Sequence, residues 1–477
     1  MAGSRSSTPA ERACTPVRRA VAAWVASLPP GSAAVAIALS GGRDSVTLLD
    51  ALAEALAAAG RRAIGLHVHH GLQPGADAWA EASERACADR GVAFAMRRVS
   101  VSRAPRRSLE ADARDARYGA LASMAREHGA GAVALAHHQD DQAETLLLQL
   151  HRGAGPAGLA AMPAASRDAD GLLWSRPLLA VTRAAIDAYA AARRLDWVDD
   201  PSNADERHRR NAVRARIAPA LAATFPGYPA TLARAAAHQA DAVALMDALA
   251  EIDARDAAFD AASRTIGAAA LAALPPPRAR NLLRWYLRAC GLPSPSSARL
   301  EAMLRQLAHA RDDASIGLAH AGARIGRHRG RVAVHAAPPG DYEAAWHGEA
   351  AVALPHGLLA FERAVGDGID LRHAGCGLLV RPRRGGERMR LGQGVARRMV
   401  KSLLREAGVP AWERDALPLI VAGDRIVAVP GLGVDVGWRA APGLAGLVPC
   451  WHEGNGRAVV GKPAGPGDPG ERSAGHR

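Results

Sequence analysis

The chain has 477 residues, with 60 lysines and arginines against 47 aspartates and glutamates, for a formal net charge of +13. This length allows two to four domains, and the positive surplus favours a polyanionic partner, nucleic acid first. Five scattered cysteines without a Cys-x-x-Cys pair argue against a disulfide scaffold or a zinc knuckle. The long uncharged run 20–42 is broken by Pro29-Pro30-Gly31-Ser32, so no membrane span is predicted.

The first half of the chain is predicted to alternate strands and helices. Residues 1–19 are predicted to be a disordered tail and residues 20–28 a first helix. The predicted strands are 33–39, 64–68, 93–99 and 132–136, and the predicted helices are 46–59, 76–90, 109–128 and 140–150. This alternation indicates a parallel sheet that binds ligands at the carboxyl ends of its strands, where His69-His70 and His137-His138 fall.

A small-residue turn, Ser40-Gly41-Gly42-Arg43-Asp44-Ser45, separates the first predicted strand from its helix. The glycines let backbone amides approach a ligand closely, the serines add hydroxyl donors, and the helix directs its positive end at the turn. Asp44 places a carboxylate where a bound phosphate needs a hard cation such as Mg²⁺. The turn is therefore predicted to bind pyrophosphate, and the alternative is a purely structural turn.

This motif differs from the P-loop of kinases, which spaces its glycines further apart and uses a lysine. It resembles the Ser-Gly-Gly-x-Asp-Ser motif of the PP-loop ATP pyrophosphatases. The resemblance implies that residues 40–45, Arg43 included, bind ATP and that Asp44 holds Mg²⁺. It also implies cleavage of ATP between its α- and β-phosphates, with adenylation of an oxygen of the substrate.

A second polar cluster, His137-His138-Gln139-Asp140-Asp141-Gln142-Ala143-Glu144-Thr145, follows the fourth predicted strand. Asp140 and Glu144 are four residues apart, so they share one face of a helix. Such carboxylates could hold Mg²⁺ or attract an amine. Two alternatives stay open, namely a metal site of two histidines and a carboxylate, and a helix cap with an acidic first turn.

The block 136–159 around this cluster resembles the signature of the tRNA(Ile)-lysidine synthetase family. Three further motifs match in order: Glu110, Arg114, Arg117 and Tyr118; Arg176-Pro177-Leu178-Leu179; and Asp200-Pro201-Ser202-Asn203 followed by Arg209-Arg210-Asn211 and Arg214. The resemblance covers about residues 33–217. It implies a catalytic role for Asp44, Arg114, Arg117, Asp140, Asp141 and Glu144.

Five arginines crowd the segment 207–216. Planar guanidinium groups match phosphate oxygens, although a solvated helix that pairs with Asp205 and Glu206 is the alternative. The resemblance implies that this segment lies near the nucleotide and the target base. The residues predicted to contact tRNA here are Arg209, Asn211 and Arg214.

Past Pro219, helical periodicity rich in alanine, leucine and arginine predicts a small helical domain. The stretch 281–288 mixes aromatic and basic residues and could face RNA, but aromatic residues at helical spacing are more often core. The segment 324–336 is predicted to form β-structure on the surface.

The last part of the chain contains a predicted strand that runs into a basic turn. A predicted helix with Arg397, Arg398, Lys401 and Arg405 follows, and then the run Val409-Pro410-Ala411-Trp412-Glu413-Arg414-Asp415. This part of the chain resembles the C-terminal domain of long members of the same family, although Glu387 stands where the family often has aspartate or arginine. An acceptor-stem phosphate contact is predicted for Arg383, Arg384, Arg397 and Lys401.

The predicted fold class is α/β: an N-terminal parallel-sheet, Rossmann-like PP-loop domain, a central helical domain and a smaller C-terminal α+β domain. The predicted divisions are 1–30 for a flexible tail and leading helix, 31–217 for the ATP-binding catalytic domain, 218–338 for a mainly helical substrate-binding domain, 339–455 for a tRNA-binding domain, and 456–477 for a disordered tail.

The scattered cysteines fit a reducing cytoplasm, and the resemblance implies a carbon–nitrogen ligase that uses ATP and Mg²⁺. The wobble cytidine of tRNA(Ile) with a CAU anticodon would be adenylated at C2, and the ε-amine of free lysine would then displace AMP to form lysidine. No membrane partner is expected, and a homodimer is left open. Three alternatives remain: a PP-loop enzyme that uses ammonia or sulfur, a non-catalytic tRNA-binding protein, and a nucleotide-dependent hydrolase of small amides.

Overall fold

A computed structural model describes residues 8–29, 34–71, 75–100, 109–309, 317–337, 339–373 and 377–453. The chain divides into two compact units, Met1–Leu245 and Met246–Arg477. The predicted disordered tail 456–477 lies outside the described residues. Among the described residues, no helix combines the length and apolar character needed to cross a membrane.

The first unit alternates strands with helices, as predicted. Its elements are α1 (Pro9–Ser27), β1 (Ala34–Leu39), α2 (Arg43–Ala58), β2 (Arg62–His69), α3 (Ala76–Ala88), β3 (Ala93–Arg98), α4 (Leu109–Glu127), β4 (Ala130–Ala134), α5 (Gln139–His151), α6 (Pro156–Leu159), β5 (Ala165–Arg167), β6 (Leu173–Ser175), α7 (Arg183–Arg193), α8 (Arg209–Ala212), α9 (Ala218–Thr224) and α10 (Tyr228–Asp256), with a 3₁₀ turn at Pro201–Ala204 and a π-turn at Val213–Ile217. The division between the units falls within α10.

The sheet of this unit has the strand order β3-β2-β1-β4-β6-β5. β1 lies parallel to both β2 and β4, β6 is parallel to β4, and β5 alone runs antiparallel to its neighbour β6. The predicted parallel sheet is therefore confirmed. The strand order reverses between β1 and β4, which opens a crevice at their carboxyl ends where folds of this kind bind ligands.

The first helix begins at Pro9, so the predicted disordered tail is wrong for residues 9–19. The hydroxyl of Thr8 accepts the backbone N–H of Glu11, and the Glu11 carboxylate accepts the N–H of Thr8. This reciprocal capping satisfies two backbone donors that a helix start otherwise leaves open. The buried stripe of the helix consists of Cys14, Val17, Val21 and Val25. The polar start of the chain is thus a helix cap followed by an amphipathic helix.

A buried ion-pair network fixes α2 against its neighbours. Asp50 accepts hydrogen bonds from Arg90 Nε at 2.9 Å, from the Tyr189 hydroxyl at 2.8 Å and from Arg193 Nε at 2.8 Å. Burial alone would raise the pKa of Asp50, but the hydrogen bonds from Arg193 and Tyr189 and the charges of Arg193 and Arg90 lower it. The helix that carries the phosphate turn is therefore joined to α7 and to the end of α3.

The second unit combines helices with a series of short antiparallel strands. Its elements are β7 (Thr265–Gly267), α11 (Ala268–Ala273), α12 (Pro276–Ala289), α13 (Ser297–His309), β8 (Leu318–His320), β9 (Ala323–His328), β10 (Arg331–Ala336), β11 (Ala344–Trp346), β12 (Ala351–Leu354), β13 (Gly357–Val365), β14 (Ile369–Asp370), β15 (Leu378–Arg381), β16 (Arg388–Met389), β17 (Arg398–Met399), α14 (Val400–Glu406), α15 (Ala411–Ala416), β18 (Leu419–Ala422), β19 (Arg425–Val429), β20 (Gly433–Val434) and β21 (Ala445–Glu453), with a 3₁₀ turn at Leu371–His373.

Two hydrophobic cores lie within this unit. The first packs α11–α13 on the sheet β7-β10-β9-β8, and it buries Leu283 and Tyr286 of α12. The core interpretation of 281–288 is therefore confirmed. Ile325 and Val332 are also fully buried, so the segment predicted as surface β-structure forms strands that face this core.

The second core lies between two antiparallel sheets, β11-β15-β18-β19-β20 and β12-β13-β21-β14, and buries Trp346 and Trp451. The indole of Trp412, from the predicted Val409–Asp415 run, stacks on His335 of β10 with 4.7 Å between ring centroids. This part of the run therefore contributes to packing inside the second unit.

Asp50→Ala should lower the stability of the first unit by about 3–5 kcal/mol, because it leaves buried cationic and hydroxyl donors without their acceptor. Glu54→Ala, one turn further along α2, removes an exposed pair with Arg18 and should cost less than about 1 kcal/mol. Urea unfolding of the full chain measures both. Equal losses in the two variants would contradict the role given to Asp50.

Candidate functional site

The phosphate turn has the geometry that its sequence predicts. β1 ends at Leu39, α2 begins at Arg43, and Gly41 between them has φ +80°. A Cβ on Gly41 would lie 3.3 Å from the backbone oxygen of Trp79 and 3.4 Å from the Ser83 hydroxyl. Only glycine combines that backbone conformation with that close approach.

The two serines hold the turn together. Ser45 Oγ accepts the backbone N–H of Ser40 at 3.2 Å and donates to the carbonyl of Gly42 at 2.8 Å. From outside the turn, the Val198 N–H donates to the carbonyl of Gly41 at 3.0 Å. In the described part of the chain no side chain caps α2, so the first amides of this helix face the turn as anion donors.

Asp44 lies in the first turn of α2. Burial alone would raise its pKa, but nearby His138, followed by Arg43 and Arg183, lowers the pKa of Asp44 to about 2. Arg43 bridges Asp44 Oδ1 at 3.3 Å and Asp187 Oδ1 at 2.6 Å, which fixes it beside the carboxylate. The side chain is ionised at neutral pH.

His138 lies between three carboxylates and is completely buried. Its Nε2 is 3.6 Å from Asp44 Oδ2 and 3.5 Å from Asp141 Oδ2, and its Nδ1 is 3.8 Å from Asp140 Oδ2. These are electrostatic contacts outside hydrogen-bond geometry, and within the described residues neither ring nitrogen has a hydrogen-bond partner. The imidazole thus brings the phosphate turn and the start of α5 together.

Glu144 is the most enclosed of the predicted carboxylates, and two arginines bind it. Arg214 donates from Nε to Oε1 at 2.8 Å and from Nη2 to Oε2 at 2.9 Å, while Arg210 Nε donates to Oε2 at 2.9 Å. Burial raises the pKa of Glu144, but the hydrogen bond and charge of Arg214, followed by Arg210, lower it overall. The structure therefore brings a predicted catalytic residue and a predicted tRNA contact together as one ion-pair cluster.

Exposure separates the four carboxylates. The exposed side-chain fraction is 34% for Asp44, 20% for Asp140, 12% for Asp141 and 6% for Glu144. Asp140 Oδ2 accepts the N–H of Arg183 at the start of α7, and Asp141 Oδ2 accepts the N–H of His138. The helix-cap alternative is therefore correct for part of what Asp140 and Asp141 do, and Asp44 is the carboxylate most accessible to a ligand.

The predicted arginines of α4 surround an aromatic ring. The guanidinium carbon of Arg114 lies 5.1 Å from the ring centroid of Tyr118, and that of Arg117 lies 5.7 Å away. Burial lowers the pKa of His137 to about 3, with further lowering from the charges of Arg176 and Arg210 and then of the α4 arginines. Glu110, the first residue of this predicted motif, has its side chain outside the described residues.

The arginine-rich segment 207–216 divides between two kinds of partner. Arg207 pairs with Asp205 and Arg216 with Glu206, as the solvated alternative predicted. Arg210 and Arg214 cross to α5 instead. Arg209 is exposed, and Asn211 Nδ2 donates to the carbonyl of Asp205 at 3.0 Å.

The basic turn of the second unit closes around an acidic residue. The Glu387 carboxylate accepts the backbone N–H groups of Arg384 at 2.6 Å and Gly385 at 3.0 Å. Arg381 Nη1 lies 3.3 Å from the same carboxylate. Glu387, the departure from the family pattern, therefore stabilises the turn that displays the arginines.

The four basic residues predicted to bind the acceptor stem differ in exposure. The side chain of Arg383 is only 11% exposed and donates to the carbonyl of Arg414, whereas Arg384 is 48% and Arg397 45% exposed. Lys401 is exposed on α14. Arg397 and Arg398 precede that helix, so the prediction that they lie on it is wrong, because α14 begins only at Val400.

The turn and its surroundings fit a nucleotide phosphate with a divalent cation. The glycine turn excludes side chains, the α2 amides point into it, and ionised Asp44 supplies an oxygen ligand. Among the described residues no set of three or more His, Cys, Asp or Glu side chains is arranged to hold a metal, which gives the two-histidine metal alternative no support. Mg²⁺ is commonly bound by one or two carboxylates plus substrate phosphates, which agrees with a site built around Asp44.

Sequence reasoning did not place four other residues in the site. His138 and Arg183 contact the predicted carboxylates, Arg210 shares Glu144, and Arg176 follows β6 at the same sheet edge. His138, Arg176 and Arg210 stand within motifs quoted from the sequence, and His138 and Arg176 also lie close after strand ends, whereas Arg183 lies outside these motifs. The partners of all four depend on distant segments.

Family models match three parts of the chain: the PP-loop domain at residues 15–221, the TilS substrate binding domain at 268–333 and the TilS substrate C-terminal domain at 378–451. Among curated relatives, a tRNA(Ile)-lysidine synthase of Ralstonia nicotianae is 45% identical over 90% of this chain and 97% of its own. A protein of the same name from Burkholderia pseudomallei is 42% identical over 85% and 90%. One from Chromobacterium violaceum is 42% identical over 88% and 96%.

The Glu144–Arg214 pair should show strong energetic coupling. In a double-mutant cycle with Glu144→Gln and Arg214→Gln, we expect non-additivity on the order of 2 kcal/mol, about 4–8 °C in the melting temperature of the first unit, because each single change leaves a buried charge. The matched cycle on Glu206 and Arg216, an exposed pair in the same segment, should stay below about 1 kcal/mol. Thermal melting of the single and double variants beside wild type tests this, and additivity at Glu144–Arg214 would contradict it.

Proposed function

Because the chain belongs to the tRNA(Ile)-lysidine synthase family, we propose that it forms lysidine at the wobble cytidine of a tRNA(Ile) with a CAU anticodon, using free lysine. It is an ATP-using carbon–nitrogen ligase of the PP-loop type. The observation that carries the finer proposal is the meeting of the phosphate turn with the Asp140–Glu144 carboxylates at the reversal of strand order. A cytoplasmic location belongs to the proposal, since ATP and tRNA are found there. The proposal requires one copy of the chain and is compatible with a homodimer.

The proposed roles of the turn follow from its donors. The α2 amides and the Ser40 hydroxyl bind the pyrophosphate end of ATP, while Ser45, which donates to the carbonyl of Gly42, keeps the turn in shape. Asp44 would hold Mg²⁺, which supplies charge neutralisation at the departing pyrophosphate. Arg43 orients Asp44 through its two carboxylate contacts rather than binding phosphate itself.

The proposed roles of α4 and α5 concern the substrates of the second step. Arg114 and Arg117 stabilise negative charge near the adenylated cytidine. Asp140 attracts the lysine ammonium, because it is more exposed than Asp141 or Glu144. His137 is a poor proton acceptor, since burial and the neighbouring arginines lower its pKa to about 3.

The proposed tRNA contacts are narrower than the set named from the sequence. Arg384, Arg397 and Lys401 are exposed and suit phosphate contacts, and Arg209 offers the same at the first unit. Arg214 acts by orienting Glu144. Arg383 supports the basic turn from inside.

The deciding experiment is mass spectrometry of nucleosides from tRNA(Ile) incubated with the protein, ATP and lysine. The proposal expects cytidine to gain a lysyl group, with AMP and pyrophosphate released. In a parallel incubation with a sulfide donor, exchange of oxygen for sulfur would indicate a thiolase, and absence of any ATP-dependent change in both incubations would indicate a binding protein. Either result would overturn the proposal.

Asp44→Asn should slow tRNA- and ATP-dependent pyrophosphate release by at least about 100-fold, while the affinity for tRNA changes by less than about twofold. The reason is that the amide keeps the shape of the side chain but removes the anionic cation ligand. Glu54→Gln, further along the same helix, is the control and should retain normal rates. Near-normal pyrophosphate release by Asp44→Asn would refute the metal role.

Arg397→Gln with Lys401→Gln should weaken tRNA binding and reduce the slope of log affinity against log salt by about 1 for each phosphate that the variant no longer neutralises. Melting temperature should change little, because Lys401 is exposed and Arg397, which is 45% exposed, reaches Asp435 only at 3.8 Å. Arg383→Gln should instead lower the melting temperature of the second unit, since it breaks the hydrogen bonds of an enclosed side chain. An unchanged salt slope in the double variant would remove the acceptor-stem contact.

A further inference from the structure

Arg176 is a buried cation without an anionic partner among the described residues. It directly follows β6, is 8% exposed, and donates from Nη1 to the carbonyl of Pro163 at 2.8 Å. Its Nε is buried and has no hydrogen-bond partner within the described residues. Buried charges are normally paired, so this guanidinium has capacity for an anion that the described part of the chain does not supply.

Two further arginines lie around the ring of Tyr118, a residue that also interacts with Arg176. Tyr118 stacks on Trp174 of β6 with 4.9 Å between centroids, and the guanidinium groups of Arg114 and Arg117 lie over that ring. Burial and then, after an opposing effect of Tyr118, the charge of Arg114 lower the pKa of Arg176. Burial likewise lowers the pKa of Arg117. The mutual repulsion of these cations is a cost that a bound anion would remove.

Neutral donors complete the surroundings. His137 follows β4 and His70 follows β2, and in each ring Nδ1 is buried without a partner among the described residues. An imidazole N–H can donate to an anion without adding charge. His137 thus adds a neutral donor at the strand end next to Arg176, whereas His70 lies three strands away from it, on the side of Arg117.

The position of Arg176 distinguishes this location from the phosphate turn. The turn follows β1, whereas Arg176 follows β6, two strands away in the order β1-β4-β6. Neighbouring strands are about 4.8 Å apart, so the two points are separated by roughly 10 Å along the sheet edge. A phosphate bound at Arg176 would thus occupy a different point of the sheet edge from the pyrophosphate at the turn.

We propose that Arg176, with Arg114 and Arg117, forms a second phosphate subsite that binds a backbone phosphodiester of the RNA next to the target cytidine. This inference rests on the proposed function, since it takes the RNA substrate from it. The subsite would orient the target nucleotide toward the phosphate turn. Guanidinium groups suit this task because their planar forks match phosphate oxygens.

The test uses an anticodon stem-loop RNA and a series in which one phosphate at a time around the wobble cytidine is a neutral methylphosphonate. Binding is measured by fluorescence anisotropy at fixed salt, without lysine. Wild type should lose about tenfold in affinity at one position of the series. Arg176→Gln should bind the unmodified RNA about tenfold more weakly than wild type and show no further loss at that position. Arg126→Gln, exposed at the other end of α4, is the control and should behave as wild type.

ATP affinity of the same variants identifies the source of the phosphate. We expect it to be unchanged in Arg176→Gln. A tenfold loss of ATP affinity with a wild-type response to the methylphosphonate series would assign the subsite to the nucleotide and overturn the proposal. A folded Arg176→Gln that changes neither affinity would overturn it too.

Two further controls keep the test decisive. If Arg176→Gln does not fold, Arg176→Lys takes its place, because lysine retains the charge without the planar fork. The wild-type series also decides by itself. If no methylphosphonate position lowers the affinity by more than about twofold, the subsite is refuted. Failure of the proposed function is separate, because it would appear as absence of lysidine in wild type whatever the binding series shows.

Discussion

The contact of His138 with Asp44 and Asp141 is the interaction on which the rest of the site depends. His138 follows β4, Asp44 begins α2, and one fully buried imidazole lies between their carboxylates. The reversal of strand order puts the two segments at one edge of the sheet, where the imidazole separates the two carboxylates and Arg43 and Arg183 place positive charge near Asp44.

A segment from much later in the chain completes this charge balance. Glu144 is buried, and burial of a carboxylate is costly unless cations and hydrogen bonds compensate it. Arg210 and Arg214 provide that compensation from 66 and 70 residues away. The site therefore forms only when the α8 region packs on α5. This segment is a structural part of this sheet edge as well as a candidate for contact with RNA.

Much of the first unit could be predicted from the sequence because its signals are local. Apolar runs, the Gly41-Gly42 turn and the polar strand ends each depend on neighbouring residues, and the strand–turn–helix at Asp44 followed from them. The start of α1 was missed because a helix cap such as Thr8 and Glu11 looks like a polar tail. The partners of Glu144 and the enclosure of Arg383 depend on long-range packing, about which residue spacing carries no information.

The net charge indicated the kind of partner, a nucleic acid, but not which basic residues are exposed enough to contact it. The chemistry of arginine explains this difference. Nearly all the positive charge is arginine, because only Lys401 and Lys462 are lysines. A guanidinium can bond both oxygens of one carboxylate, as Arg214 does with Glu144, whereas an ammonium group acts as a point charge. Arginine can therefore serve inside the molecule as well as on its surface. Some of the 60 lysines and arginines stabilise buried carboxylates, so the positive charge that faces a polyanion has to be read from exposure, residue by residue.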